Sequence, residues 1–523
     1  MIDTTPAATY ALPPIRRWIA YVALCIGMFM AILDIQVVVT SLKVIEEALH
    51  IGADLMSWVQ TAYIIAEVIA IPLTGLLMRV FSMRWLFVFS LGVFTLASLG
   101  CAFSHGFNEL MIFRVIQGYA GGVLIPLVFS AIFLLFPKGI QQTVATTLGG
   151  VLAVMAPTLG PITGGWLTEH FSWQWLFLIN IIPGIVATLI GVATLPRAPL
   201  RLNLLRELDW LSLAAFGISL ASLVIGLKHA PQNGWLDPLV LGCFAGSLAC
   251  LAFSVMRPKP AIMFHLLHDK ALAYGCVLSF ILGIILYASV YLLPVFLGFV
   301  RNHGPLEIGI FTVVMGVTQL ISAPITVLID RRFDARWLAG IGFLLFAAGL
   351  WSAGNLTVMS DQNEVFWPQV WRGAAVGLCI LPPIRFAMGL IPLDKVSDAS
   401  GLFNLSRNIG GVIGIAVTDT IMFSRAATHA ETLIELTKTD PAAAAPILGL
   451  TPDQIPAPDD TMGIFGLMDT VQAASLTQAI NECWWTLAAI SLAALPILWW
   501  MGHVPSAIPI VKLRKMQAAE AKA

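Results

Sequence analysis

Residues 71–86 have the sequence IPLTGLLMRVFSMRWL, and residues 323–338 have the sequence APITVLIDRRFDARWL. Each stretch ends one long apolar segment and begins the next. Eight of the sixteen positions are identical, at Pro72/Pro324, Thr74/Thr326, Leu76/Leu328, Arg79/Arg331, Phe81/Phe333, Arg84/Arg336, Trp85/Trp337 and Leu86/Leu338. A weaker match pairs QGYAGG (117–122) with RGAAVG (372–377). These matches indicate an internal duplication, and they predict two related halves arranged in parallel.

The composition places these halves in a membrane. Of the 523 residues, 58% are hydrophobic and only 11% are charged, whereas an ordinary soluble domain carries about 25% charged side chains. A water-soluble fold could not bury so much apolar surface, but a lipid bilayer can cover it. The formal net charge of −1 gives no electrostatic reason to expect nucleic acid as a partner.

Several kinds of chemistry are not expected. The seven cysteines lie within apolar segments, where thiols behave as small hydrophobic groups, so no disulfide framework is predicted. The closest histidines, His265 and His268, are interpreted as side chains at the membrane interface rather than as metal ligands. No Gly-Lys pair occurs in the sequence, which excludes a phosphate-binding GxxxxGK[ST] loop and a primary pump within this chain. We expect no metal, no cofactor and no enzymatic activity.

The apolar segments predict an all-α integral membrane protein. A spanning helix needs about 20 mostly apolar residues, and that rule predicts fourteen spans, at 18–42, 57–78, 85–104, 109–136, 144–167, 173–195, 210–228, 237–256, 272–299, 306–329, 337–355, 366–392, 399–423 and 480–502. The duplication makes residues 1–196 and 261–523 two six-helix bundles, with two inserted helices at 197–260. A long outer loop is expected at about 425–479.

The lysines and arginines of the connections set the expected orientation. Most of them fall on one side, which is the cytoplasmic side by the positive-inside rule. Both termini are therefore predicted to be cytoplasmic in a multi-pass membrane protein. The pairs Trp484–Trp485 and Trp499–Trp500 are predicted to mark the two interfaces of the last span, because indole rings prefer that depth.

Ionisable side chains inside spans are candidates for function. Each costs roughly 2.5–3.5 kcal/mol to insert, and the candidates are Asp34, Glu67, Arg114, Arg372, Arg407 and Asp419. By helical rise, Asp34, Glu67 and Arg114 lie at comparable levels in the outer half of the first repeat. They are predicted to form a proton switch, with a fixed structural ion pair as the alternative. A second pair between Asp419 and Arg372 is also considered.

Span five is rich in glycine and proline. Residues 149–167 have the sequence GGVLAVMAPTLGPITGGWL, in which Gly160-Pro161 is followed by Gly164-Gly165. These residues remove backbone hydrogen bonds and allow another helix to approach closely. The pattern predicts either a pivot between two conformations or a simple packing seam.

Together these segments resemble the fourteen-helix drug:proton antiporters of the major facilitator superfamily, the EmrB/QacA type. The similar segments are LDIQVVV (33–39), IPLTG (71–75), RVIQG (114–118), IPL (125–127), the span-five sequence, FSWQWLFLINIIPG (171–184) and LFNLSRNIGG (402–411). They occur in the family order and cover essentially the whole chain.

The resemblance implies roles for particular residues. Asp34 matches the first-helix carboxylate that is tied to proton coupling, and Arg114 matches the fourth-helix arginine associated with proton transfer. Arg407 matches the arginine of the thirteenth-helix motif. The glycines and proline of span five match the antiporter motif, which marks export. In a Gram-negative source the resemblance also implies the inner membrane as location, with a periplasmic adaptor and an outer-membrane channel as partners.

The sequence departs from the family pattern in the connection after span two. Arg79 stands four residues past Gly75, where the family has an aspartate, and Ser82 replaces the later glycine. A cytoplasmic gate built on that aspartate is therefore in doubt. In span five, Ala156 stands where a further glycine is common.

The expected function is proton-coupled multidrug efflux by alternating access, with amphipathic small molecules as substrates and protons as the driving ion. Tyr63, Asn180 and Asn404 are candidates for the substrate site, although core packing explains such residues equally well. A dedicated exporter of one metabolite or siderophore is the alternative within the superfamily. A receptor or channel without coupled transport is the alternative from another class.

Overall fold

The computed structural model describes residues 13–56, 58–136, 140–201, 203, 209–257, 264–330, 333–389, 391, 396–457 and 461–501. Within those ranges every regular element is a helix. Thirteen of these helices are long and apolar enough to cross a membrane. The shorter apolar stretch Trp58–Ile71 lies where the second span is predicted, so the described part contains a helix for each predicted span.

Nineteen α-helices carry the fold across the described residues. The first half contains α1 (Pro14–Val37), α2 (Leu42–Leu49), α3 (Ala53–Met56), α4 (Trp58–Ala102), α5 (Phe107–Leu135), α6 (Ile140–His170), α7 (Trp175–Leu178) and α8 (Ile181–Thr194). A hairpin of α9 (Trp210–Asn233) and α10 (Pro238–Met256) follows. The second half contains α11 (Lys270–Val295), α12 (Pro305–Asp330), α13 (Ala335–Ala353), α14 (Gln362–Gly389), α15 (Val396–Thr439), α16 (Pro441–Leu448), α17 (Thr461–Gly466), α18 (Met468–Leu492) and α19 (Ala494–Trp500).

Each half is a bundle with corresponding neighbours. In the first half, α4 packs on α5 and α8, and α1 packs on α5, α6 and α8. In the second half, α11 packs on α14, α15 and α18, and α13 packs on α14 and α18. The halves meet where α6 packs on α12 and where α4 packs on α15. The expected fold of two bundles with two inserted helices is confirmed, while the boundaries at 196 and 260 stay a prediction.

We call the end of the bundle at which α1 ends and α12 begins the distal end. Among the described residues, the first-half side chains of Lys43 and Glu169 make three hydrogen bonds to the second half there. Lys43 Nζ donates to the Gly298 carbonyl at 2.9 Å and to Asn302 Oδ1 at 2.8 Å. The backbone N–H of Leu306 donates to Glu169 Oε2 at 3.2 Å, so a first-half carboxylate caps the start of α12.

The segment 425–479 is largely helical in its described part, although the sequence suggested a loop. The helix α15 continues to Thr439, and α18 begins at Met468. Between them, Asp440 caps α16 by accepting from Ala443 N at 3.1 Å, and Gly449 ends it in the left-handed region at φ 71°. Its apolar side chains form a small separate core of Leu433, Ala444, Ala445, Leu448, Ile455, Val471 and Ala474.

The interpretation of the Trp484–Trp485 pair as an interface marker is wrong for Trp484. The Trp484 side chain is fully buried, whereas Trp485 is 39% exposed. Neighbouring residues point about 100° apart on a helix, so on α18 one ring of the pair points into the bundle while the other points outward. Trp499 and Trp500 are both exposed, and their position at a membrane interface stays a prediction.

The repeated sequence at 71–86 contains a backbone break that a serine occupies. Ser82 interrupts α4 with φ 65° and ψ 161°, a conformation that is essentially restricted to glycine. Its side chain is 8% exposed, and its Oγ has no hydrogen-bond partner among the described residues. The family pattern has glycine at this place, so the departure noted in the sequence introduces strain. The side chain of Arg79, the other departure, lies outside the described part of the structure, as does that of His265.

Replacing Ser82 with glycine is expected to stabilise the protein. Relief of the backbone strain is worth roughly 1–3 kcal/mol, which the greater flexibility of unfolded glycine reduces by about 0.5–1 kcal/mol. Thermal unfolding in detergent should therefore show a higher midpoint for Ser82→Gly. Ser90→Gly, inside the following helical stretch of α4, is the matched control and should lower the midpoint. A lower midpoint for Ser82→Gly would contradict the strain.

Candidate functional site

A fully buried carboxylate forms the centre of the first half. Asp34, near the end of α1, is 0% exposed. Its Oδ1 accepts from Gln117 Nε2 and from Asn180 Nδ2, each at 2.8 Å, and its Oδ2 accepts from Arg114 Nη1. The Asp34 side chain on α1 is therefore held by donors from α5 and from the start of α8. The predicted pairing of Asp34 with Arg114 is present.

Arg114 is held as firmly as its partner. Its Nε donates to the Val59 carbonyl at 2.9 Å, and its Nη1 also donates to Gln117 Oε1 at 2.8 Å. The guanidinium carbon lies 4.6 Å from the centre of the Tyr63 ring, a cation–π contact. The Tyr63 hydroxyl donates to the Ala31 carbonyl at 3.0 Å. The arginine thus joins α5 to α1 and α4.

Two glycines of α5 make this arrangement possible. A Cβ at Gly118 would collide with the backbone of Tyr63, and a Cβ at Gly121 would collide with the Tyr63 hydroxyl. Only glycine allows the backbones of α4 and α5 to approach this closely. The QGYAGG sequence therefore serves to place Tyr63 beneath Arg114.

The donor arrangement suits the ionised form of Asp34 better than the neutral acid. A carboxylate accepts hydrogen bonds at both oxygens, whereas a carboxylic acid must also donate one. The side-chain groups bonded to Asp34 are N–H donors from Gln117, Asn180 and Arg114. A proton on Asp34 would weaken these hydrogen bonds, because a neutral acid is a poorer acceptor than a carboxylate and needs an acceptor for its own O–H.

Glu67 does not join Asp34 and Arg114, although the sequence placed all three at one level. It lies four residues after Tyr63 on α4, is 4% exposed, and interacts electrostatically with Arg407 on α15. Tyr287 on α11 hydrogen-bonds to Arg407 and donates to Asn408 Oδ1 at 3.2 Å. The charged groups therefore form two layers, one inside the first half and one between the halves.

Arg372 and Asp419 are both buried in the second half, at 1% and 2% exposure. Arg372 donates to the carbonyls of Pro368 and Ser289 at 3.3 and 3.4 Å. Its guanidinium carbon lies 4.8 Å from the Trp484 ring. The pairing of Asp419 with Arg372 stays a prediction.

The glycine-rich helix α6 of the first half lies at the interface with the second half. A Cβ at Gly160 would collide with Gln36, and one at Gly164 would collide with the Val37 backbone, both on α1. A Cβ at the next residue, Gly165, would collide with the Pro305 backbone at the start of α12. From the opposite side, Gly309 of α12 packs on the Pro161 carbonyl, where a Cβ would lie only 2.5 Å away. Consecutive glycines thus contact opposite halves.

The three substrate candidates lie in different environments. Tyr63 and Asn180 are 0% and 1% exposed and belong to the network around Asp34. Asn404 on α15 is half-buried. Their assignment to substrate binding stays a prediction.

Gln117 is the site residue that the sequence reasoning missed. It contacts Asp34, Arg114 and Ser98, the last through an Nε2–Oγ hydrogen bond of 2.8 Å. A search for charges inside spans passes over an amide. Its position three residues after Arg114, on the same helix face, was the available signal.

Comparison with known proteins places the chain in a family. Residues 24–415 match the model of the Major Facilitator Superfamily. The chain is 36% identical, over 81% of its length and 83% of the relative, to a protein named colistin resistance protein EmrB from Acinetobacter baumannii. It is 27% identical, over 91% of its length and 94% of the relative, to the multidrug export protein EmrB of Escherichia coli.

Solved structures show the same fold. The crystal structure of a D-xylose-proton symporter matches with a TM-score of 0.60 at 14% identity, covering 94% of this chain and 98% of that one. A bacterial homologue of the lysosomal transporter Spinster, in an inward-facing and occupied conformation, matches with a TM-score of 0.58 at 12% identity, covering 95% and 100%. On the family match, the identity to its relatives and this shared fold, the chain belongs to the major facilitator superfamily.

Proposed function

We propose that this protein is a proton-coupled antiporter that exports amphipathic small molecules by alternating access. The observation that carries the proposal is the Asp34 site. Its three side-chain donors suit the carboxylate better than the acid, so proton binding would loosen the contacts that join α1 to α5 and to the start of α8. The names of the relatives, which refer to multidrug export and colistin resistance, support drug-like substrates and the outward direction.

The proposed energy source is the proton gradient. Its electrical part is worth about 2.3 kcal/mol per charge per 100 mV. A tenfold concentration ratio corresponds to about 1.4 kcal/mol. At 100 mV, the entry of one proton therefore supports roughly a forty-fold concentration gradient of substrate. Asp34 would take up and release the proton, with the charge of Arg114 stabilising the carboxylate, while Glu67, Arg407 and Asp419 are proposed to assist coupling.

The proposed orientation has both termini in the cytoplasm and the distal end outside, in the inner membrane of a Gram-negative cell. In that orientation the contacts of Lys43 and Glu169 with the second half close the outer side. The largely helical segment 425–479 would then face the periplasm, where an adaptor leading to an outer-membrane channel is the proposed partner.

Asp34→Asn is expected to abolish proton-coupled efflux while the protein is still made and inserted. The amide has nearly the same shape but cannot exchange a proton, so substrate addition to vesicles should no longer move protons. The matched control is Asp453→Asn, which removes an exposed carboxylate from the segment 425–479 and should leave coupled efflux unchanged. Wild-type proton movement with Asp34→Asn would refute the assignment.

Gly164→Ala is expected to slow turnover more than it weakens substrate binding. The added Cβ collides with the Val37 backbone, so it should hinder the passage between conformations, with efflux falling by about tenfold or more, or 1.4 kcal/mol of barrier. Substrate affinity should stay within about twofold, since the contact lies between helices. Gly150→Ala is the control on the same helix, because nothing lies within 4 Å of its Cβ position. Weakened binding with normal turnover would argue against a pivot at α6.

A further inference from the structure

We propose that the α9–α10 hairpin is a seal over the seam between α4 and α15. The hairpin moves with the second half, slides over α4, and keeps acyl chains and membrane-dissolved compounds away from the layer that contains Glu67 and Arg407. The inference rests on the proposed alternating access, since a seal is needed only if the halves move.

The hairpin is a rigid unit in itself. The Ser212 and Ser254 hydroxyls lie 3.0 Å apart and each donates to the other residue's carbonyl, at 3.1 and 2.9 Å. Ser219 Oγ donates to the Ser247 carbonyl at 2.8 Å. Such bonds between helices hold together where no water competes for them. The helix α10 is thus fastened along the length of α9.

An ion pair closes the open end of the hairpin. Arg257 Nε donates to Asp209 Oδ2 at 2.6 Å, and Arg257 Nη2 donates to Asp209 Oδ1 at 3.1 Å. This bidentate contact joins the residue before α9 to the residue after α10. The hydrogen bonds from Arg257 hold the pKa of the Asp209 carboxyl below its ordinary value, so both members of this ion pair are charged at neutral pH.

The buried face of α9 contacts both halves. A small apolar cavity is lined by Ile65 and Val68 of α4, Leu220, Leu223 and Val224 of α9, and Ile409 and Val412 of α15. Nearer the start of α9, the Cβ position of Gly217 lies 3.9 Å from Ile69 Cδ1. One inserted helix therefore bridges the two bundles.

The covered residues flank the charged layer. Val68 directly follows Glu67, and Ile409 lies two residues after Arg407. If the interface between α4 and α15 widened, acyl chains could reach Glu67 and Arg407. Contact with hydrocarbon raises the free energy of a charged side chain. The apolar face of α9 occupies that path.

The contacts also indicate which half carries the hairpin. The helix α9 packs along α15 more extensively than along α4, and Gly217 of α9 has no side chain to fill the space beside Ile69 of α4. The contacts of α9 with Ile65, Val68 and Ile69 of α4 are apolar, and such a surface can slide at little cost because each atom pair contributes only a small dispersion energy. We therefore assign the fixed side to α15 and the sliding side to α4.

Two tethers test this assignment in a functional variant whose α10 cysteines, Cys243 and Cys250, are replaced by alanine. Ile69→Cys with Gly217→Cys joins α9 to α4, and Val224→Cys with Val412→Cys joins α9 to α15. With a short cleavable dimaleimide in vesicles, the first tether should lower efflux by about tenfold until it is cleaved. The second should leave efflux within about twofold. The proposal is overturned if the α4 tether is tolerated or if the α15 tether blocks efflux.

A second measurement reports the seal directly. Leu220→Ala with Val224→Ala thins the buried face of α9, and Ile218→Ala with Ile225→Ala removes similar bulk from exposed positions of the same helix. A bilayer-soluble maleimide should label Val68→Cys about tenfold faster with the first pair and at an unchanged rate with the second. Equal rates for both pairs would overturn the seal. Failure of the proposed function would instead appear as absent coupled efflux in the untethered protein.

Discussion

The buried ion pair between Asp34 and Arg114 sets the arrangement of the first half. Taking two charges out of water costs several kcal/mol per ion, which is recovered only if the remaining donors and acceptors are also satisfied. The amides of Gln117 and Asn180 and the Val59 carbonyl supply those partners. They come from α4, α5 and the start of α8, so the positions of these helices around α1 follow from the chemistry of one carboxylate.

Tyr63 connects this pair to the interface between the halves. Its ring lies against Arg114, and its hydroxyl interacts electrostatically with Asp34, Arg114, Glu67 and, across the interface, Tyr287. Glu67 follows one helical turn later and interacts electrostatically with Arg407. A shift of Arg114 that accompanies proton binding at Asp34 would therefore displace the ring that separates the two charged layers. Proton binding in one half can in this way alter contacts with the other.

The sequence predicts the depth of these residues but not the direction in which they point. The fourteen spans could be inferred from the apolar runs, and the repeat from its identical positions. The Asp34–Arg114 pair could be inferred because helical rise puts these two residues at similar depths. Direction depends on which neighbouring helix each face contacts, and for that reason the sequence did not predict that Glu67 interacts with Arg407 or that Trp484 is buried. The break at Ser82 was signalled only by the missing glycine. The helices of 425–479 were missed because a segment rich in alanine, proline and carboxylates carries no long apolar run.

The two interfaces between the halves, α6 with α12 and α4 with α15, are closed in different ways because they contain different side chains. At α6 and α12, glycines bring backbones together, and such a contact is tight but leaves no room for side chains. At α4 and α15, the large polar side chains of Glu67 and Arg407 lie near the interface, and a small apolar cavity lies where these two helices meet α9. A separate apolar helix can cover that gap instead. The insertion lies between the two repeats in the sequence, which places α9 beside both halves in space and makes the connection between them available for that purpose.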